Sequence, residues 1–130
     1  MNSGMLFLAT ATMGGVGAGL RYIVDVLVMH GRRGAFPLGI LVVNVTGSFA
    51  LGLLTGLAPI LGGEWVTVLG VGMLGGYTTF STVSTETVLL GQRRRRDWAW
   101  GNLLGTLGLC GLGAAIGIGI GRVVAGWVAA

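Results

Sequence analysis

The charged residues of this chain are spaced so that four long windows carry none: residues 1–20, 34–63, 65–85 and 98–121. These windows hold 20, 30, 21 and 24 residues, and a helix crossing a bilayer needs about 20 apolar residues. Hydrophobic residues make up 53% of the 130 positions and glycine fills another 27. A soluble domain of this length leaves a large part of its surface in water, and this chain has too few polar side chains to cover it. The composition excludes an ordinary soluble enzyme. The predicted fold class is an all-α membrane protein, a single domain over residues 1–130 with four transmembrane helices at roughly 4–29, 37–60, 65–91 and 98–127. No basic residue precedes the first apolar stretch, so it reads as a retained span rather than a cleaved signal peptide. Cys110 is the sole cysteine and falls within a predicted helix, which rules out an intrachain disulfide framework.

The arginines set the orientation. Six of the eight basic residues, Arg32, Arg33 and Arg93 to Arg96, fall in the first and third connections. Positive residues collect on the cytoplasmic side, so loops 30–36 and 91–97 are predicted cytoplasmic, in a cell inner or plasma membrane, with both termini outside. A net charge of +4 raises nucleic acid as a partner, but no basic face with interleaved aromatics is present. Trp65, Trp98, Trp100 and Trp127 fall at span ends and read as interface anchors. His30 reads as a surface residue.

Chemistry has to be sought within the spans. Four glycine-rich helices enclose little space, so oligomerisation is expected. The pairs Gly15–Gly19, Gly52–Gly56, Gly101–Gly105, Gly113–Gly117 and Gly117–Gly121 allow helix backbones to approach closely, within one subunit or between two. The most informative run is Gly75-Gly76-Tyr77-Thr78-Thr79-Phe80-Ser81-Thr82-Val83-Ser84-Thr85-Glu86. A glycine pair inside a span, followed by hydroxyl-rich sequence, predicts a break at about 75–79. Irregular backbone within a bilayer must be buried in protein or line a watery cavity. Its freed carbonyls suit a small cation and its freed amides an anion. The bland alternative is a packing kink with satisfied hydroxyls.

This run resembles the GGxTTFSTFSxE signature of the Fluc (CrcB-like) fluoride channels. Residues Pro37 to Phe49, with Gly39, Asn44, Gly47 and Phe49, resemble the family's PxGTLxxNxxGxF stretch, and Gly14-Gly15 with Arg21 resembles its GGxxGxxxR pattern. The resemblance covers nearly the whole chain. It implies an antiparallel dimer with two narrow pores that pass fluoride passively and lower its cytoplasmic level. It also implies a structural sodium ion at the dimer centre, held by the backbone carbonyls of Gly75 and Thr78. It places Phe80 and Asn44 at the pore and Arg21 in a vestibule.

The side chains are compatible with that. Fluoride is tightly hydrated, so a pore must replace its water with donors. Asn44 supplies an amide and Ser81, Thr82 and Ser84 supply hydroxyls, while a phenylalanine presents a positive ring edge. Asn102, Thr106 and Cys110 recur at four-residue spacing and form one polar stripe: Thr106 reads as a track wall or an interhelical bond, and Cys110 as the latter. Arg21 would concentrate anions or pair with Asp25 one turn away. Glu86 is a carboxylate deep in a span and a functional candidate on that ground.

Two features depart from the family pattern. Val83 stands where the signature has its second phenylalanine, and the arginine bias favours one orientation where a dual-topology homodimer needs balance. Both point to a fixed-orientation subunit that pairs with an oppositely oriented homologous subunit, with one pore decayed. The alternative function is a small multidrug-resistance-type four-span exporter, which depends on a helix-one carboxylate; Asp25 lies near the helix end and beside Arg21. An assembly or scaffold subunit would tolerate substitution at Asn44 and Phe80. No nucleophile–base pair, metal-ligand cluster or phosphate loop points to an enzyme.

Overall fold

A computed structural model describes residues 1–31 and 36–130. Arg32 and Arg33, both arginines of the expected cytoplasmic loop 30–36, lie outside the described residues. The described residues form helices α1 (Ser3–Met29), α2 (Leu38–Gly56), the short α3 (Ala58–Leu61) and α4 (Gly63–Val66). A π-helical stretch at Thr67–Leu74 leads into α5 (Gly75–Tyr77), then α6 (Phe80–Gln92) and α7 (Arg96–Ala129). Four helical segments are long and apolar enough to cross a membrane: Ser3–Met29, Leu38–Gly56, Gly63–Gln92 and Arg96–Ala129. The chain is a four-span, multi-pass membrane protein.

Local chemistry explains the boundaries. Asn2 opens α1 by accepting a bond at its side-chain oxygen from the Met5 amide at 2.8 Å, as helix N-caps do. α2 stops at Gly56 because Pro59 follows within a turn and has no amide to extend the ladder. α6 ends with Arg94 in the left-handed region, φ 60°. The Arg95 amide reaches the Leu90 carbonyl at 2.9 Å and the Arg94 amide reaches Gly91 at 3.1 Å. That is the closure helices usually build around glycine.

Packing is governed by close backbone approach. α2 and α7 form the most extensive helix pair, because a side chain at Gly52, Gly56, Gly117 or Gly121 would run into the opposing backbone. Those glycine pairs therefore join helices within one subunit. Gly15, Gly19, Gly105 and Gly108 have nothing within 4 Å of a would-be side chain and lie on outward faces.

The third span differs from the sequence expectation of a break at 75–79. It is bent rather than broken at the glycine pair. Gly75 and Gly76 are helical, and Gly76 is needed because a side chain there would meet the Gly14 carbonyl of α1. Only Thr78 and Thr79 adopt extended angles, with φ/ψ of −80°/154° and −150°/127°. The π-helical stretch upstream was not anticipated from the sequence; it contains no proline, although Gly70 and Gly72 fall within it.

Candidate functional site

The bend is held by one side chain. Asn44 on α2 is buried, and its amide bonds both backbone groups of Thr79: Nδ2 donates to the Thr79 carbonyl at 2.9 Å and Oδ1 accepts from the Thr79 N–H at 2.8 Å. In an unbent helix that N–H would close onto the Gly75 carbonyl. An extended residue inside a span has lost its helical partners, and buried backbone groups require replacements. Asn44 supplies them from the neighbouring helix. α2 can come this close because Gly47, one turn on, lies against Tyr77 and Thr78 where any side chain would collide.

Thr79 also organises the hydroxyls. Its Oγ1 caps α6 by accepting from the Thr82 N–H at 3.4 Å, and lies 3.0 Å from Ser81 Oγ and 3.3 Å from Thr82 Oγ1. The Thr82 amide is thereby turned away from the Thr78 carbonyl. The other hydroxyls of the run are satisfied locally: Ser84 donates to the Phe80 carbonyl, Thr85 to Ser81 and Thr87 to Val83.

A groove of about 480 Å³ opens beside the bend between α2, α6 and α7. Its polar lining comes from Asn44, Ser48, Thr78, Thr79, Thr106 and Cys110, and Phe80, Val83, Leu103 and Leu107 supply apolar walls. Phe80 is 73% exposed at this groove. The Thr106 hydroxyl is buried with no hydrogen-bond partner among the described residues, which is unusual for a buried polar atom.

The structure thus brings Asn44, Phe80, Thr78 and Thr106 together. Ser81 and Thr82 reach the hydroxyl of Thr79, Ser84 is spent on its own helix, and none of the three lines the groove. Gly75 lies on the exposed surface of the third span, and Arg21 is half-buried on α1, outside the groove. Arg21 and Asp25 do not form an ion pair; Met1–Glu64, at 2.7 Å, is the sole one among the described residues. Asp25 instead packs against Gly39 of α2, where only glycine leaves room for its carboxylate. Glu86 is half-buried with one carboxylate oxygen lacking a partner among the described residues.

Val83 is buried to 1% exposure, beneath Asn102. Asn102, also 1% exposed, donates through Nδ2 to Thr87 Oγ1 at 2.9 Å and to the Val83 carbonyl at 3.3 Å. It is an interhelical tie between α6 and α7. Two groove residues escaped the sequence reading, Thr79 and Ser48. The position of Thr79 carried a usable signal: a threonine three residues before Thr82 in a hydroxyl-rich run is an N-cap pattern. Ser48 carried none beyond its spacing of four from Asn44.

Comparison with known proteins bears on this site. The family model described as "CrcB-like protein, Camphor Resistance (CrcB)" matches residues 8–118. A protein of Leifsonia xyli subsp. xyli named fluoride-specific ion channel FluC 1 is 44% identical over 119 residues, which is 87% of each chain. The fluoride-specific ion channel FluC of Shewanella amazonensis is 45% identical over 105 residues, 79% of this chain and 85% of its own. In Mycolicibacterium paratuberculosis, fluoride-specific ion channel FluC 2 is 40% identical over 124 residues, covering 95% of this chain and 100% of its own.

Proposed function

Because the chain belongs to the CrcB-like family, we propose that it is a fluoride-selective passive ion channel that lowers cytoplasmic fluoride. The observation that carries this reading is the bare ring of Phe80, 73% exposed, on a mainly apolar groove whose few polar groups gather at the Asn44–Thr79 clamp and Thr106. The protomer alone leaves that ring uncovered, and a second subunit would complete the wall opposite it.

The proposed assembly is an antiparallel dimer with two pores. An anion moving along the groove meets donors in place of water. They are the Thr106 hydroxyl, which has no internal partner, and the second N–H of Asn44 Nδ2, with the hydroxyls of Ser81 and Thr82 held behind them against Thr79. The edge of the Phe80 ring is electropositive and suits a small anion. Arg21, unpaired with Asp25, supplies positive charge toward a vestibule, where it would raise the local anion concentration. Loop 91–97, with Arg93 to Arg96, and loop 30–36 face the cytoplasm in this reading.

A structural sodium ion fits the donor set at the bend. The Thr79 amide is diverted from the Gly75 carbonyl to Asn44, and the Thr82 amide from the Thr78 carbonyl to Thr79 Oγ1. Oxygen donors freed in this way are what a hard cation requires. Gly75 and Thr78 would hold the ion, and its charge would offset the repulsion between carbonyls brought together from two subunits. The arginine bias and the valine at position 83 further support a subunit that pairs with an oppositely oriented homologue rather than with its own copy.

Fluoride efflux from liposomes, read by electrode, tests the proposal. Chloride-excluding efflux from this protein alone supports a homodimeric channel, and efflux only after addition of a homologous partner supports the heterodimer. Silence in both cases overturns the channel assignment. Exchanging sodium for a large organic cation on both sides should reduce efflux if Gly75 and Thr78 hold the ion, and undiminished efflux would remove sodium from the reading.

A further inference from the structure

At the end of the molecule away from the Asn44–Thr79 bend, a second groove of about 410 Å³ runs between α6 and α7. Thr87 and Gly91, one turn apart on α6, form one side; Arg96, Ala99, Trp100 and Leu103 form the other. The α7 residues recur at intervals of three, one and three, so they lie on a single helix face. Arg96 is the first residue of α7, and Leu103 lies about 10 Å deeper along the helix at 1.5 Å per residue. The groove therefore has a cationic mouth and an apolar floor.

Of the arginines, Arg96 lines the mouth, and the turn that leads into it is strongly charged. Residues 93–97 are four arginines and one aspartate, +4 and −1, for a net +3, and all five side chains are exposed. Arg95 is held in place, its guanidinium 4.2 Å from the centre of the Trp98 ring, and Phe36 packs edge-on against that ring at 5.9 Å. Arg94 occupies a left-handed position, φ 60°, where glycine is the undemanding choice, so the turn keeps a charge at a site where it is conformationally unfavourable. Trp98 and Trp100 place this turn at the level where a bilayer's headgroups meet its hydrocarbon.

We propose that the groove between α6 and α7 is a binding site for an anionic phospholipid, with its phosphate at the Arg93–Arg96 turn and one acyl chain along Ala99, Trp100 and Leu103. Charge complementarity selects the headgroup: a zwitterionic lipid brings its own cation to a +3 surface, and an anionic one does not. The apolar floor selects a lipid over a free phosphate, because a phosphate alone leaves the groove unfilled. The site meets the groove at Phe80 only at Leu103, which lines both, and its remaining lining residues are its own.

Native mass spectrometry of the detergent-solubilised full chain tests it, with dioleoylphosphatidylglycerol, dioleoylphosphatidylcholine of the same chains, and inorganic phosphate as probes. The anionic lipid should be retained at least about fivefold better than the zwitterionic one, and Arg96→Gln should weaken it about fivefold, the usual worth of one basic residue at an anionic surface. Gly91→Leu keeps every charge. A side chain at Gly91 meets nothing within 4 Å, so the leucine enters the groove without disturbing the fold and should displace the lipid by a similar factor. Equal retention of the two lipids overturns the proposal, as does wild-type retention by Gly91→Leu. Competition by inorganic phosphate as effective as that by lipid would reduce the site to a headgroup patch and refute the acyl groove. A protein that binds neither lipid because a second copy covers the groove would replace the lipid with the partner subunit.

Discussion

Replacing Asn44 with leucine deletes both ends of the clamp while keeping side-chain volume close. It removes the bonds at 2.8 and 2.9 Å and strands the N–H and C=O of Thr79, a buried residue. Side-chain hydrogen bonds within membrane proteins average about 0.6 kcal/mol and reach about 1.7, so two of them account for roughly 1 to 3 kcal/mol. The stranded groups then decide the total. If water in the groove reaches Thr79, the loss stays near 1 kcal/mol. If the site is dry, each orphaned backbone group costs several kcal/mol, and the loss exceeds 3. Stability measured by reversible unfolding in mixed micelles therefore also reports whether the groove is wet at the bend. Asn44→Asp separates geometry from charge. It keeps an acceptor for the Thr79 N–H but sets a carboxylate oxygen where Nδ2 faced the Thr79 carbonyl, so it should lose at least one bond and also repel an anion. Both variants should abolish fluoride efflux. Wild-type stability within 0.5 kcal/mol together with wild-type efflux in Asn44→Leu would refute the clamp and the site built on it.

Phe80→Ile should abolish fluoride efflux while changing protomer stability by less than about 0.5 kcal/mol, because the ring is exposed and supports no internal packing; retained efflux would remove Phe80 from the pore. Gly117→Val should disrupt the α2–α7 contact, since its side chain would strike the Phe49 carbonyl, at a cost of at least about 1–3 kcal/mol and visible as loss of folded protein. Gly108→Ala, with open space around it, should be neutral or stabilising by up to about 1 kcal/mol. Val83→Phe extends a buried side chain toward the groove it lines and should raise efflux if a decayed pore is being restored. Unchanged efflux in a folded Val83→Phe variant would count against decay.

Sequence by itself determined the solvent, the number of spans and the family. These depend on local quantities, such as the length of uncharged windows and the order of residues in the run from Gly75 to Glu86, that need no partner to be read. It also marked Asn44 and Phe80 as the residues to watch. What it could not decide was where the third span leaves the helix. Gly75 and Gly76 look like the flexible point, yet they stay helical because α1 presses its backbone against them at Gly14. Thr78 and Thr79 give way instead because Asn44, 35 residues earlier in the chain, offers replacement bonds to Thr79. The glycine pairs were likewise ambiguous between joining helices of one subunit and joining two. Contacts between α2 and α7 assign Gly52, Gly56, Gly117 and Gly121 to the inside, and the open space beside Gly15, Gly19 and Gly105 leaves them facing outward. Asn102 shows the same limit: its spacing made it one of a polar stripe, and only its position against Val83 and Thr87 makes it a tie between helices. A side chain's role in this protein is set by which backbone it reaches across the bundle, a distance that tertiary packing fixes and residue spacing does not contain.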